Sequence, residues 1–248
     1  MGADHRGAGA GATSTDDVVA LLWRRATPVR RGPKPRFSVD GIVAAATEIA
    51  DARGLDAVTM QAVAARLGTT KMALYRYVPG RVELDALLLD AALGAAPPAP
   101  SVASGATGAD WRAALTDWAG SVHARALARP WSVELAQRPH VPGPVELAWF
   151  EAGLAAFGDL PLTGAEKLDT LALLVGHVMS LVRQQPRGAS PEGDLAAGLG
   201  PVLAEHADDY PLTAAAFSDA EPGGRDDALR FGVARVVAGV AALAAERA

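Results

Sequence analysis

The sequence contains no cysteine, which excludes disulfide frameworks, thiolate nucleophiles and cysteine-based zinc or iron-sulfur sites, and is compatible with a reducing cytoplasm, where the chain is expected to reside. The first 14 residues are rich in Gly and Ala and lack the apolar core of a secretory signal. The longest smooth apolar run, residues 171–182, is interrupted by His177 and falls short of the ~20 residues a membrane-spanning helix needs, so no membrane partner is expected. Catalytic signatures are missing as well: there is no P-loop, no G-x-S-x-G elbow, no G-x-G-x-x-G after a strand and no H-E-x-x-H. Nor is there the Glu-x-x-His pair with which a helical bundle holds two metals. A helical-bundle enzyme is therefore the weaker alternative, and neither catalysis nor a cofactor or metal is expected.

What is present is a chain of 248 residues, half of them hydrophobic and 21% charged, able to bury a core and long enough for two unequal domains. The net charge of −5 is unevenly placed. Residues 24–81 hold 11 basic and 4 acidic side chains, net +7, whereas residues 96–248 hold 11 and 18, net −7. Charge acts locally, so the first segment suits an approach to phosphates and the second does not.

Gly- and Pro-rich punctuation separates stretches of helical periodicity, and no period-two alternation is bounded by hairpin signals, which predicts an all-α fold. Residues 15–25 read as a short amphipathic helix and residues 27–35 (TPVRRGPKP) as an extended basic arm. Ser38 caps a first helix that ends near Gly54, with Phe37 and Ile42 spaced as a hydrophobic staple. Thr59 caps a second helix to Leu67 and Gly68 breaks it. A short third helix occupies about residues 70–77, stopped by Pro79-Gly80, and a fourth follows over about residues 81–92. The predicted organisation is an extension and arm (1–35), a head (36–95), an uncharged Pro/Gly/Ser/Ala connection (96–109) and a body (110–248). Body helices are expected at about residues 110–128, 130–137, 144–157, 163–185 and 226–245, the fourth opened by a Thr163/Glu166 capping box. Residues 186–224 are ambiguous, with one short helix around 195–206.

Residues 59–77, TMQAVAARLGTTKMALYRY, have the pattern of a helix-turn-helix: a bracing helix, a sharp turn at glycine, then a helix whose first side chains can reach base edges in the major groove. An ordinary αα-corner has the same spacing. The longer run VTMQAVAARLGTTKMALYRYVPGRVELDALL resembles the head of the tetracycline-repressor (TetR) family, with its A-x-R-L-G run followed by LYRYVPGR. WRAAL at Trp111, RPWSVELAQRP at Arg129 and LLVGHVMSL at Leu173 extend the resemblance, more weakly, to the branch containing the tetracycline repressors themselves.

The resemblance implies a homodimer on a pseudo-palindromic double-stranded DNA operator, usually a repressor until a small-molecule effector binds the body. It places Thr59 and Gln61 at the start of the bracing helix, Lys71, Met72 and Ala73 at the base-facing start of the recognition helix, and Thr70 just before them among the DNA-binding residues. Tyr75, Tyr77 and Arg81 fall at phosphate-contacting positions, and Arg30, Arg31, Lys34 and Arg36 add contacts from the arm. Lys71 is expected to read guanine, whereas Arg81→Ala is expected to weaken binding evenly and lower the salt slope by about one unit. The last two long helices would form the dimer bundle, with Leu229, Val233, Val236, Val237, Val240 and Leu243 as an apolar stripe and Gly232 and Gly239 allowing close approach. Polar and aromatic groups among the body helices, namely Trp111, Glu134, Gln137, His140, Trp149, Glu151 and His177, are candidates for the effector cavity. Glu134 stands where the tetracycline-binding branch places a metal-coordinating histidine and Glu151 near a glutamine of the same site. Tetracycline is therefore not the expected ligand, and two carboxylates would favour a cationic or multiply hydroxylated one. An effector-independent dimeric DNA-binding protein is the alternative reading.

Overall fold

The computed structural model describes residues 15–24, 38–98, 110–184, 191–218 and 228–247. Among these, twelve α-helices and one 3-10 turn (Leu55–Ala57) account for all regular structure, with no strand, as the missing two-residue alternation predicts. The basic-arm residues Arg30, Arg31, Lys34 and Arg36, and the staple residue Phe37, lie outside the described residues.

The chain divides into two compact units. The first comprises residues 1–96 together with 134–148, so it ends inside the predicted connection but also gathers a later segment. Its helices are α1 (Thr15–Arg24), α2 (Val39–Arg53), α3 (Met60–Arg66), α4 (Lys71–Tyr75) and α5 (Arg81–Leu93). The Ser38 hydroxyl accepts from Gly41 N–H (3.1 Å) and starts α2; the Gly54 N–H donates to Ala50 O (2.8 Å) and closes it. α2 packs on α5, on α3 and on the 3-10 turn. Ile42, Ala46, Val58, Val63, Leu84, Leu87 and Leu88 are essentially inaccessible in that core, each stabilising it by roughly 1.5–3 kcal/mol if aliphatic and large. α1 is pinned to α5 by Val18 and Leu22, both buried.

Two groups in α5 have consequences. Asp90, buried, accepts the Val145 N–H through Oδ1 (2.9 Å), so a side chain 55 residues away caps the first turn of α8 (Pro144–Ala155). Glu83 is also buried, and neither carboxylate oxygen has a hydrogen-bond partner among the described residues. A buried polar group left unpaired costs about 1–3 kcal/mol, so Glu83→Met is expected to raise the melting temperature. An unchanged or lower melting temperature would show that the carboxylate is satisfied in solution.

The second unit comprises residues 97–133 and 149–248. α6 (Asp110–Ala128), α9 (Gly164–Gln184) and α12 (Ala228–Ala245) pack on one another through Leu115, Ala119 and Val122, Leu171, Leu174 and Val178, and Val233, Val237 and Val240. The predicted capping box is present: Glu166 Oε2 accepts from Thr163 N–H (2.8 Å) and Thr163 Oγ1 accepts from Glu166 N–H (3.3 Å). Arg247, just past α12, adds an ion pair to Glu166, and together with the cap it holds that carboxyl down at about 2. The start of α7 (Trp131–Ala136) and the end of α8 complete the expected helices.

Two outcomes differ from the sequence reading. The ambiguous stretch holds two helices, α10 (Pro191–Glu205) and α11 (Pro211–Ser218), where one short helix is expected; each begins at a proline, which suits the first helical position, where its missing N–H is not needed. α12, moreover, is long and apolar enough to cross a membrane by length and composition alone, with a mean hydropathy of 1.7. A search for smooth apolar runs passes it over because Arg230 and Arg235 interrupt it.

Candidate nucleic-acid interface

Between α3 and α4 the chain turns at Gly68, whose φ of +61° lies in the left-handed region where a side chain is strained. Thr59 and Thr70 cap the two helices: their hydroxyl oxygens accept from Ala62 N–H (3.0 Å) and Ala73 N–H (3.3 Å). Each hydroxyl keeps its own proton to donate, as a phosphate contact would require.

α4 is five residues long, and its two sides are sharply different. Leu74, and Val78 just beyond it, are 0% exposed and fix the helix to the core. Lys71, Met72, Tyr75 and the following Arg76 are exposed, Met72 to 73% and Tyr75 to 40%; Ala73 and Tyr77 are intermediate. A thioether that far into water has no role in packing this chain, whereas it could cover a thymine methyl. Lys71 forms no ion pair among the described residues, and neither does Arg76, a cation the sequence reading passed over although it lies between Tyr75 and Tyr77. Gln61 is exposed on α3, and Thr59 before it.

Arg81 is placed differently from an outward phosphate contact. Its guanidinium donates to Val58 O and, through Nε, to Asp85 Oδ1 (2.5 Å), leaving 39% of the side chain exposed. It therefore braces the start of α5 against the chain entering α3. Asp85 also accepts from Arg138 (3.2 Å), which in turn pairs with Glu134. Burial still pushes the Asp85 carboxyl above its ordinary value, against the pull of both arginines.

The seven candidate effector residues are divided between the units. Glu134, Gln137 and His140 belong to the first; Trp111, Trp149, Glu151 and His177 belong to the second. Glu134 is engaged with Arg138, Gln137 and Glu151 are exposed, and Trp111 and Trp149 are buried. Trp149 gives its carbonyl to the Trp118 indole N–H (3.0 Å). His177 meets Ala228 O through Nε2 (3.0 Å), and its ring fills the space a side chain at Gly232 would need. Burial, and then the nearby His177, push His123 down.

His140 has both ring nitrogens engaged: Nδ1 with Arg138 O (2.8 Å), Nε2 with the Glu146 carboxylate (3.0 Å). Both can donate only in the imidazolium, so the Glu146 hydrogen bond raises its pKa against the effect of burial. A histidine raised above its unfolded value adds stability that is fully present below about pH 6.5 and is lost as the pH rises through the folded-state value. The melting-temperature gap between the wild type and His140→Gln should thus be larger at pH 6 than at pH 9. A gap independent of pH would show that the pair is not charged.

Known proteins match this chain over most of its length. Residues 42–84 match the model of the bacterial regulatory proteins of the tetR family, and residues 104–244 match the tetracyclin repressor-like C-terminal domain. The HTH-type transcriptional repressor DrrR1 of Streptomyces coeruleorubidus is 32% identical over 239 residues, covering 93% of this chain and 87% of the relative. The crystal structure of apo ActR from Streptomyces coelicolor superposes with a TM-score of 0.74 at 24% identity, over 87% of this chain and all of that one. ActR in complex with actinorhodin gives 0.71 at the same identity, over 86% of this chain and 99% of that one. The chain is therefore an all-helical, DNA-binding transcriptional regulator belonging to the TetR family.

Proposed function

We propose that this regulator is a cytoplasmic, homodimeric repressor that holds a pseudo-palindromic operator through two copies of α4 and is released by a small molecule. The observation that carries the DNA-reading part is the two-sidedness of α4: Leu74 and Val78 are fully buried while Lys71, Met72 and Tyr75 stand in solvent on a helix capped by Thr70. Lys71, Met72 and Ala73 then read bases. Thr59, Gln61, Thr70, Tyr75, Tyr77 and Arg76 hold phosphates, joined by Arg30, Arg31, Lys34 and Arg36. Arg81 acts at the edge of that surface, with its internal bonds as its first role. In functional terms residues 36–95 are the head, 96–109 the connection and 110–248 the body. Selection of bound fragments from random DNA tests the reading; two half-sites about one helical repeat apart are expected.

Dimerisation is supported by apolar surface that one chain leaves uncovered. On α9, Leu168 and Leu173 are 47% and 63% exposed; on α12, Phe231 is 67% exposed. A side chain at Gly239 or Gly176 would meet nothing within 4 Å. Val233, Val237 and Val240 of the predicted stripe are buried within the chain, whereas Leu229, Val236 and Leu243 are only half-buried. Leu173→Asp places a charge in a face of this kind, where it would be desolvated on association. It is expected to give a monomer by light scattering and a loss of operator binding. A wild-type monomer that still binds the operator would refute this part.

Effector response is supported by the crystal structure of ActR in complex with actinorhodin. Release from DNA by a small molecule separates this reading from an effector-independent dimer.

A further inference from the structure

The first unit contains a cavity of about 560 Å³ beneath the N-terminal helix α1. Thr15 and Val18 of α1 form one wall. Val82, Asp85, Ala86 and Leu89, at the i, i+3, i+4 and i+7 positions of α5, form another. Leu135, Arg138, Pro139, His140 and Val141 close it. Its size lies within the range of small-molecule sites, roughly 300–1,000 Å³, and so does its makeup, an apolar lining with a few polar groups at one side.

The polar groups define the ligand. Asp85 is already held by Arg81 and Arg138 and has little capacity for a cation. Arg138 uses its two terminal nitrogens toward Asp85 and Glu134; of the five N–H donors of a guanidinium, about three therefore stay open to an acceptor. His140 Nε2 already meets the Glu146 carboxylate at 3.0 Å, so the group in the lining with donors to spare is the Arg138 guanidinium. We infer that this cavity binds an apolar small molecule bearing one anionic group, whose acid oxygens take the open N–H donors of Arg138 while its body lies on Val18, Ala86 and Leu89.

Such a ligand would bear directly on the DNA-reading elements. α5 follows α4 after the Pro79-Gly80 turn, and Asp85 is shared between Arg138 and the brace Arg81. α1, for its part, leads in sequence into the arm with Arg30, Arg31, Lys34 and Arg36. This coupling rests on the regulator reading; the cavity itself rests on geometry alone.

The test uses the full chain and 8-anilino-1-naphthalenesulfonate, a fluorescent aromatic monoanion. One saturable site per chain is expected. Arg138→Gln, which removes a charge-assisted contact, should weaken it about 10- to 100-fold. Val82→Trp, at a wall position exposed enough to tolerate the larger ring, should abolish it while circular dichroism stays unchanged. Arg138→Lys should restore part of the affinity. Equal dye binding by the wild type, Arg138→Gln and Val82→Trp would overturn the inference. Retention of the selected DNA fragment by the same preparations is read in parallel. Its loss in the wild type would count against the regulator reading, and the comparison of dye affinities would still decide the cavity.

Discussion

Lys71→Ala is expected to lower affinity for the selected operator by about 10- to 100-fold per half-site while leaving affinity for random DNA within about twofold. The difference arises because a lysine donating to guanine O6 and N7 carries roughly 1–3 kcal/mol of discrimination, whereas non-specific binding is set by the summed neutralisation of phosphates. Lys71 is suited to that task because it stands at the first position of α4, exposed and without an ion pair among the described residues. Arg76→Ala should do the reverse, weakening operator and random DNA alike and lowering the salt slope by about one unit. Fluorescence anisotropy at several salt concentrations measures both. Equal losses on the two DNAs from Lys71→Ala would remove the residue from the base-reading set.

Gly143→Ala is expected to cause a large loss of stability for a single added methyl group. A Cβ there would lie 2.1 Å from Asp90 Oδ1 and 2.6 Å from its Cγ, inside any tolerable contact. The carboxylate must then leave the Val145 N–H, so two costs combine: forced displacement in a packed region, about 1–3 kcal/mol, and a lost charge-assisted cap, about 1–2 kcal/mol. Asp90→Ala alone should lose the second cost only. The double variant Gly143→Ala/Asp90→Ala should be no worse than Asp90→Ala, because the collision has gone. Denaturant titrations of the four proteins form the cycle. Additive losses would mean that the two positions do not meet.

What could be read from the sequence was whatever depends on near neighbours in the chain. Thr59, Thr70 and Ser38 announce caps because each lies three residues from the N–H it accepts, and Gly68 announces a turn because only glycine is comfortable at its φ. Leu74 and Val78 lie four residues apart, the spacing of one helical face, and are buried together. Contacts between distant positions were not legible. Arg81 looked like a free cation, yet its acceptor at Val58 lies 23 residues away. The Asp90 cap spans 55 residues, and neither partner carries a local signal for it. The effector residues were grouped by type along body helices, a criterion blind to the fold, so they fall into both units and only His140 lines the cavity beneath α1. α11 (PLTAAAFS) is eight residues long and its apolar side chains are not gathered on one face, so it lacks the amphipathic period by which helices are recognised.

The most direct measurement of the central claim is dimethyl sulfate protection of guanine N7 on the selected operator, with the wild type and Lys71→Ala compared at equal occupancy. Two protected guanines, one in each half-site, about one helical turn apart and both exposed again in the variant, are the predicted result. Protection that is absent, or that persists unchanged without the lysine, would contradict it.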